Sequence, residues 1–228
     1  VKNESFTVMG ARGLKKTHRR GDTEVHALAG VDLDINAGDF VAICGPSGSG
    51  KSTLLNMLGL LESPDEGQIL LDGGPVPLNN PAELGRLRGQ RLGFVFQQFN
   101  LVPVLSALEN VELPLYETRM NPRERRDKGT ALLHAVGLGD RLHNRPAQMS
   151  GGQQQRVAVA RALVRDPLIV LADEPTANLD SQTSEQLLDV MLRLNQERNT
   201  AFVIATHDPR VVARARRVVH LKDGLITA

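Results

Sequence analysis

Phe40-Val41-Ala42-Ile43-Cys44-Gly45-Pro46-Ser47-Gly48-Ser49-Gly50-Lys51-Ser52 is the stretch on which the fold turns. Its first five residues are an apolar run of strand length, preceded by the turn residues Asn36-Ala37-Gly38-Asp39. Such a run predicts a buried strand. The next eight fit the pattern glycine, four residues, Gly-Lys-Ser. Glycines there let backbone N–H groups converge on phosphate oxygens without a Cβ in the way. A helical pattern then occupies residues 52–61, so a helix N-terminus adds its positive dipole end to the same place. The expectation is a triphosphate cradle in which Gly45, Pro46, Ser47, Gly48, Ser49 and Gly50 supply the loop. Lys51 reaches the β- and γ-phosphates, Ser52 offers its hydroxyl to Mg²⁺, and Thr53 bonds a phosphate oxygen. A glycine-rich surface turn is the plainer reading, and the strand before and helix after weigh against it.

Working outward, the chain alternates strand and helix signals. Val31, Leu33 and Ile35 alternate with Asp32 and Asp34, a half-exposed strand period. Short strands are expected at 68–72, 91–96, 168–171 and 200–205, and 218–222 with 225–227 flank the hairpin turn Asp223-Gly224. Residues 168–171 are a continuous apolar run, as in a parallel strand covered on both faces. Helices are expected at 106–112, 123–136, 153–164 and 181–197. The order is strand-rich, then α/β, then helical, then α/β again. This predicts one α/β domain over 1–228, with a mainly parallel sheet, an N-terminal antiparallel β-subdomain and a helical subdomain at about 98–165 inserted in the core.

Several polar residues fall where strands end. Asp173 and Glu174 follow the apolar run 168–172 at the carboxyl edge of the sheet, where ligands of open α/β sheets bind. Beside a phosphate loop, Asp173 is expected to hold Mg²⁺ through water, and Glu174 to orient and deprotonate the attacking water. Without that loop the pair would read as two solvated acids. Gln97 ends the strand 92–96, where its amide oxygen could touch Mg²⁺ and sense the γ-phosphate; a polar strand end reads the same way. His207 ends the strand 200–205 and is a candidate γ-phosphate contact, although lone histidines are often structural. Ser150 is a good N-cap, and Gly151, Gly152 and Gln153 bare the start of its helix. The result is a second anion-ready helix start. One triphosphate is already cradled, so this turn suggests service to a second protomer, head to tail; an ordinary capped helix fits the same residues.

Composition sets further bounds. With 228 residues the chain can bury one large core. Its net charge of +1 argues against bulk electrostatic capture of nucleic acid. The basic run 119–128 is interleaved with Glu124 and Asp127 and reads as a solvated helix face. The single cysteine, Cys44, excludes an internal disulfide and is expected to be buried. No apolar run approaches the ~18 residues of a membrane span, and no basic-then-apolar secretory pattern opens the chain. A soluble chain that could dock on a membrane protein is expected.

Taken together, these residues resemble the ATPase subunits of ATP-binding cassette (ABC) transporters over essentially the whole length. Gly45 to Ser52 resembles the family's Walker A motif, Gln97 its Q-loop residue, and Ser150 to Gln153 its signature. Residues 168–173 resemble Walker B, followed by the catalytic Glu174, then a D-loop at Ala177-Asn178-Leu179-Asp180 and a switch histidine at His207. Within the family, Phe96-Gln97-Gln98-Phe99-Asn100-Leu101 and Ala107-Leu108-Glu109-Asn110-Val111 look most like the lipoprotein-release and macrolide-export group. Three departures stand out. Met149 replaces the usual Leu before the signature, Ala177-Asn178 stand where Ser-Ala is common, and His18 stands where the family usually stacks an aromatic ring on adenine. A surface histidine in a basic loop fits His18 as well.

The resemblance implies an ATP-hydrolysing subunit with ATP and Mg²⁺ bound between two head-to-tail copies. ATP binding would close the pair and hydrolysis reopen it, driving a transmembrane permease from the cytoplasmic face of the membrane. It also implies that the region 97–114, rich in Phe99, Leu101, Val102, Val104 and Leu105, grips the permease. A module that works on a membrane partner mechanically, without transport, would use the same chemistry. A soluble ATPase of DNA repair or translation would be expected to carry a coiled-coil insertion or a second cassette, and a small-molecule kinase would leave Ser150–Gln153 unexplained.

Overall fold

The structure, a computed structural model, describes residues 6–20 and 23–227. Two long strands open it, β1 (Thr7–Arg20) and β2 (Thr23–Asn36), paired antiparallel. The buried strand β3 (Phe40–Cys44) and helix α1 (Lys51–Leu58) flank the glycine loop. Strands β4 (Glu66–Leu71) and β5 (Gly74–Pro75) complete a four-stranded antiparallel sheet in the order β2-β1-β4-β5. Helix α2 (Pro81–Arg91) runs directly into strand β6 (Leu92–Val95).

A helical block lies between β6 and the next strand. It holds α3 (Ala107–Glu112), a 3₁₀ turn at Leu113–Glu117, α4 (Pro122–Ala135), a second 3₁₀ turn at Pro146–Gln148, and α5 (Gly151–Leu163). The chain then returns to the sheet through β7 (Ile169–Asp173), α6 (Ser181–Arg198), β8 (Ala201–Thr206), α7 (Pro209–Arg214), β9 (Arg217–Lys222) and β10 (Leu225–Thr227). The second sheet has the order β10-β9-β3-β8-β7-β6, parallel except for the β9–β10 hairpin. The expected α/β core, antiparallel N-terminal sheet and interposed helices are all present.

The parallel sheet explains the continuous apolar runs. Along β3, Phe40, Ala42 and Cys44 belong to the core shared with the helical block, α6 and α7, while Val41 and Ile43 belong to the core shared with α1 and the antiparallel sheet. In β8, Phe202 and Ile204 face the first side, and Ala201, Val203 and Ala205 the second. Both faces are covered, so residues 40–44 and 201–205 are apolar at every position. Phe40 and Phe202 are register partners, and their rings stack with centroids 5.8 Å apart. Cys44 is a buried free thiol, as expected, and burial raises its pKa.

Some expected boundaries move. The helix after the glycine loop ends at Leu58 rather than 61, because Gly59 caps it and Leu60 is left-handed at φ 55°. The signature helix starts at Gly151, two residues before the expected 153, and Ser150 is its N-cap as expected. Helices α2 and α7 have no counterpart in the expectations. Each buries a single apolar side chain, Leu84 and Val211 respectively, so neither shows a hydrophobic stripe.

Candidate active site

Strands β3, β7 and β8 run parallel in register, with Cys44 opposite Thr206 and Asp173 opposite Ala205. Their carboxyl ends therefore deliver the glycine loop, Glu174 and His207 to one edge of the sheet. A cleft of about 750 Å³ opens there. Of the expected residues, His18, Gly45, Pro46, Ser47, Gly48, Gly50, Lys51, Ser52, Thr53, Gln97, Asp173, Glu174 and His207 line it. Ser49 is buried, its hydroxyl oxygen without a partner among the described residues.

The loop's glycines have different duties. Gly48 (φ 80°) has nothing within 4 Å of where a Cβ would sit, so its need is conformational. A Cβ on Gly45 would lie 2.0 Å from the Leu221 carbonyl oxygen, and one on Gly50 2.2 Å from that of Ala27. Those two glycines admit close passage of neighbouring backbone, a packing reason that the motif pattern does not display. Lys51 Nζ donates to the carbonyls of Gly45 (2.8 Å) and Pro46 (3.0 Å), spanning the loop. Ser52 Oγ lies 3.4 Å from Asp173 Oδ1. Burial raises the Asp173 pKa, the Ser52 hydroxyl opposes it, and the adjacent Glu174 charge adds to the rise.

Glu174 sits at a left-handed φ of 46°, uncommon for a residue with a side chain. Its N–H still donates to Ala205 O (2.9 Å) as if the strand continued. The carboxylate is held from two sides: Oε1 lies 2.7 Å from His207 Nδ1, and Oε2 accepts from Thr206 Oγ1 (3.2 Å). The acid is 17% exposed and the imidazole 76%, so His207 stands on the open side of the cleft. Behind it, Asp208 accepts from Thr176 Oγ1 (2.7 Å) and from the Arg210 guanidinium. Burial works against that carboxylate, and the hydrogen bonds from Arg210 and Thr176 outweigh it, holding its pKa at about 2.

Gln97 is exposed just after β6 and is among the residues lining the cleft. Its main-chain carbonyl accepts from Asn178 Nδ2 (2.9 Å). The preceding carbonyl, of Phe96, accepts from the buried Gln155 Nε2 (3.3 Å), which also donates to Pro175 O (2.8 Å). His18 and Val25 are cross-strand partners on β1 and β2, and both line the cleft. The His18 ring nitrogen lies 3.7 Å from Glu62 Oε1.

Ser150, Gly151, Gly152 and Gln153 do not line this cleft. They form a reciprocal cap: Ser150 Oγ accepts from Gln153 N (3.3 Å), and Gln153 Oε1 accepts from Ser150 N (3.0 Å). Gly152 packs on α6, where a Cβ would meet Thr183 Cγ2 at 2.1 Å. The residues missed in sequence are Val25 and Ala27 at the cleft wall, and Thr176, Thr206, Asp208 and Gln155 behind it; Ala177, read as part of the D-loop, also lines the wall. Asp208 beside Pro209 had a local signal, an N-cap followed by proline. The others act through contacts with residues distant in sequence and had none.

Residues 28–177 match the family described as ABC transporter. The lipoprotein-releasing system ATP-binding protein LolD of Alcanivorax borkumensis is 46% identical over 224 residues, covering 98% of this chain and 98% of that protein. The macrolide export ATP-binding/permease protein MacB of Syntrophobacter fumaroxidans is 48% identical over 215 residues, covering 93% of this chain but 30% of MacB. The chain thus spans about a third of the length of that relative. Among solved structures, the dimeric ATP-binding cassette MJ0796 in a post-hydrolysis state, bound to ADP and Pi, superposes with a TM-score of 0.88 at 45% identity, covering 96% of this chain and 97% of that one. The protein of that name is from Methanocaldococcus jannaschii.

Proposed function

Since the chain belongs to the ABC transporter family, we propose that it is the ATP-hydrolysing subunit of a membrane transporter, in which ATP closes a head-to-tail pair of cassettes and hydrolysis reopens it. The observation that carries this is the meeting of Lys51, Ser52, Asp173, Glu174 and His207 in one cleft that the second glycine-bared helix start, Ser150–Gln153, does not line. That turn is then free to serve the nucleotide of a second copy.

The cleft suits a triphosphate with magnesium. Backbone N–H groups around Gly48 and Gly50 meet the phosphates, and Lys51 exchanges its bonds to Gly45 and Pro46 for phosphate oxygens. Among the described residues no group of three or more His, Cys, Asp or Glu could hold a metal by itself. Ser52, Asp173 and Gln97 would hold Mg²⁺, offering the hard oxygen donors that ion prefers. When bound, the ion offsets charge on the transferring phosphate. Glu174 accepts the proton of the attacking water, with His207 and Thr206 fixing its carboxylate. His207 and Gln97 face the γ-phosphate. His18, paired with Val25, offers a platform for adenine; a stacked base is worth ~1–3 kcal/mol, and the small imidazole face belongs at the lower end.

On this reading residues 1–228 work as one cassette, and the helical block at about 98–165 moves as a lever on its core. A groove of about 560 Å³ between core and block is lined by Leu61, Phe94, Phe96 and Pro114, with Arg88 and Arg165 among its charged residues. It is the place for an amphipathic permease helix. No helix among the described residues is long and apolar enough to cross a membrane, and we place the chain at the cytoplasmic face through that permease. The description of MacB as a macrolide export ATP-binding/permease protein supports pairing with a permease.

The test is Glu174→Gln. Turnover is expected to fall at least ~100-fold, the scale of a lost general base, with ATP affinity retained and an ATP-dependent dimer accumulating on a sizing column. Wild-type turnover would remove Glu174 from the chemistry.

A further inference from the structure

We propose that Asn178 is a positioning residue for Gln97: by holding the Gln97 carbonyl, it makes the loop after the catalytic acid and the loop that faces metal and γ-phosphate move as one piece. This rests on the ATPase reading above.

The end of β6 is gripped by side chains through its carbonyl groups. Gln155 Nε2 takes the Phe96 oxygen (3.3 Å) and Asn178 Nδ2 the Gln97 oxygen (2.9 Å). The chain then makes two left-handed residues, Phe99 (φ 58°) and Asn100 (φ 49°). Their carbonyls accept from the Arg161 guanidinium at 2.8 and 2.6 Å. Gln155 and Arg161 both belong to α5, the helix that Ser150 caps. Asn178 alone of these three donors comes from the segment that follows Glu174.

That segment is stiff at its base. Glu174 N bonds Ala205 O, Ala177 N bonds Glu174 O and Leu179 N bonds Thr176 O. Asn178 therefore projects from a turn whose position is set by the acid itself. A bond to the Gln97 carbonyl fixes the Gln97 peptide plane, and the plane sets where the Gln97 side chain points. Gly151 lies at the same junction, where a Cβ would meet Leu179 Cδ2 at 3.5 Å, Phe99 Cζ at 3.6 Å and Asn178 O at 3.8 Å. Asn178 is exposed, so its side chain buries little surface and its removal acts on position more than on packing. Only a donor serves here: alanine has none, and aspartate would set an acceptor against an acceptor.

The experiment compares wild type, Asn178→Ala, Asn178→Asp, Gln97→Ala and the Asn178→Ala/Gln97→Ala double variant. In the nucleotide-free protein, amide hydrogen exchange at residues 98–100 should quicken about five-fold in both Asn178 variants, the scale of one lost hydrogen bond, with β3 and β8 unchanged. Calorimetric titration of ATP should show the Mg²⁺-dependent gain in affinity reduced about five-fold in both Asn178 variants, with affinity in EDTA unchanged. In the Gln97→Ala background Asn178→Ala should add nothing, since both act through one side chain. Unchanged exchange at 98–100, or additive losses in the double variant, overturns the proposal while leaving the ATPase reading intact. Wild-type protein that fails to bind ATP overturns both.

Discussion

Asp208 touches neither Glu174 nor the glycine loop, yet it anchors the residue that does. It follows His207, receives the Thr176 hydroxyl from the segment after Glu174, and is gripped by Arg210. Its folded pKa is about 2, against an ordinary 3.8. A depressed carboxylate contributes stability that is present above its unfolded pKa and lost as pH falls through the folded value. Asp208→Asn should therefore lower unfolding free energy near neutrality by about 2 kcal/mol. Urea titrations should show the gap between the proteins closing as pH drops from about 4 toward about 2, and a gap independent of pH would contradict the assignment. Residues of this kind were illegible in sequence. Thr176 and Asp208 are joined only because β7 and β8 lie side by side, and a threonine and an aspartate 32 positions apart carry no mark of that. Lys51, Ser52, Asp173 and Glu174 were legible, because their role is written in local spacing around one loop and one strand end.

Helices and strands were legible in proportion to what they bury. Strands β3, β7 and β8 are covered on both faces and stood out as apolar runs. Helix α5 is also buried nearly all round, with Val157, Ala158, Val159 and Ala160 inaccessible. The N-cap residue Ser150 was the clearer signal of where it starts. Helix α2 hid for the opposite reason, since it buries only Leu84; its marks are the Asn80 cap, Pro81 and Glu83. A close joint between β6 and α5 is invisible in composition. A Cβ on Gly93 of β6 would lie 2.4 Å from the Ala162 carbonyl oxygen of α5. Gly93→Ala must push backbone from backbone, at a cost of about 1–3 kcal/mol. Gly85→Ala, in the middle of α2 with no atom nearer than 3.9 Å, should instead stabilise by about 0.5–1 kcal/mol through helix propensity. Chemical denaturation of the two variants tests the pair; equal effects would mean that α5 does not bear on β6 as described.

At the scale of the whole molecule, one copy holds two anion-ready helix starts, and only one of them belongs to the cleft. α1 follows the glycine loop; α5 begins at a capped turn packed on α6 and does not line the cleft. The α/β architecture was readable from the alternation of strand and helix signals. The pairing of copies came from counting two anion sites against one triphosphate, and from family resemblance, because an interface between identical chains leaves no periodic trace in one of them. On this account each nucleotide is closed in by Lys51 of one copy and Ser150 of the other, a reciprocal, isologous exchange about a two-fold axis. The most direct measurement is the structure of Glu174→Gln trapped with ATP and Mg²⁺. The account predicts two nucleotides per dimer, each with its γ-phosphate within hydrogen-bond reach of Ser150 of the partner subunit. A nucleotide held by one copy alone, with both Ser150 hydroxyls remote from any phosphate, would contradict it.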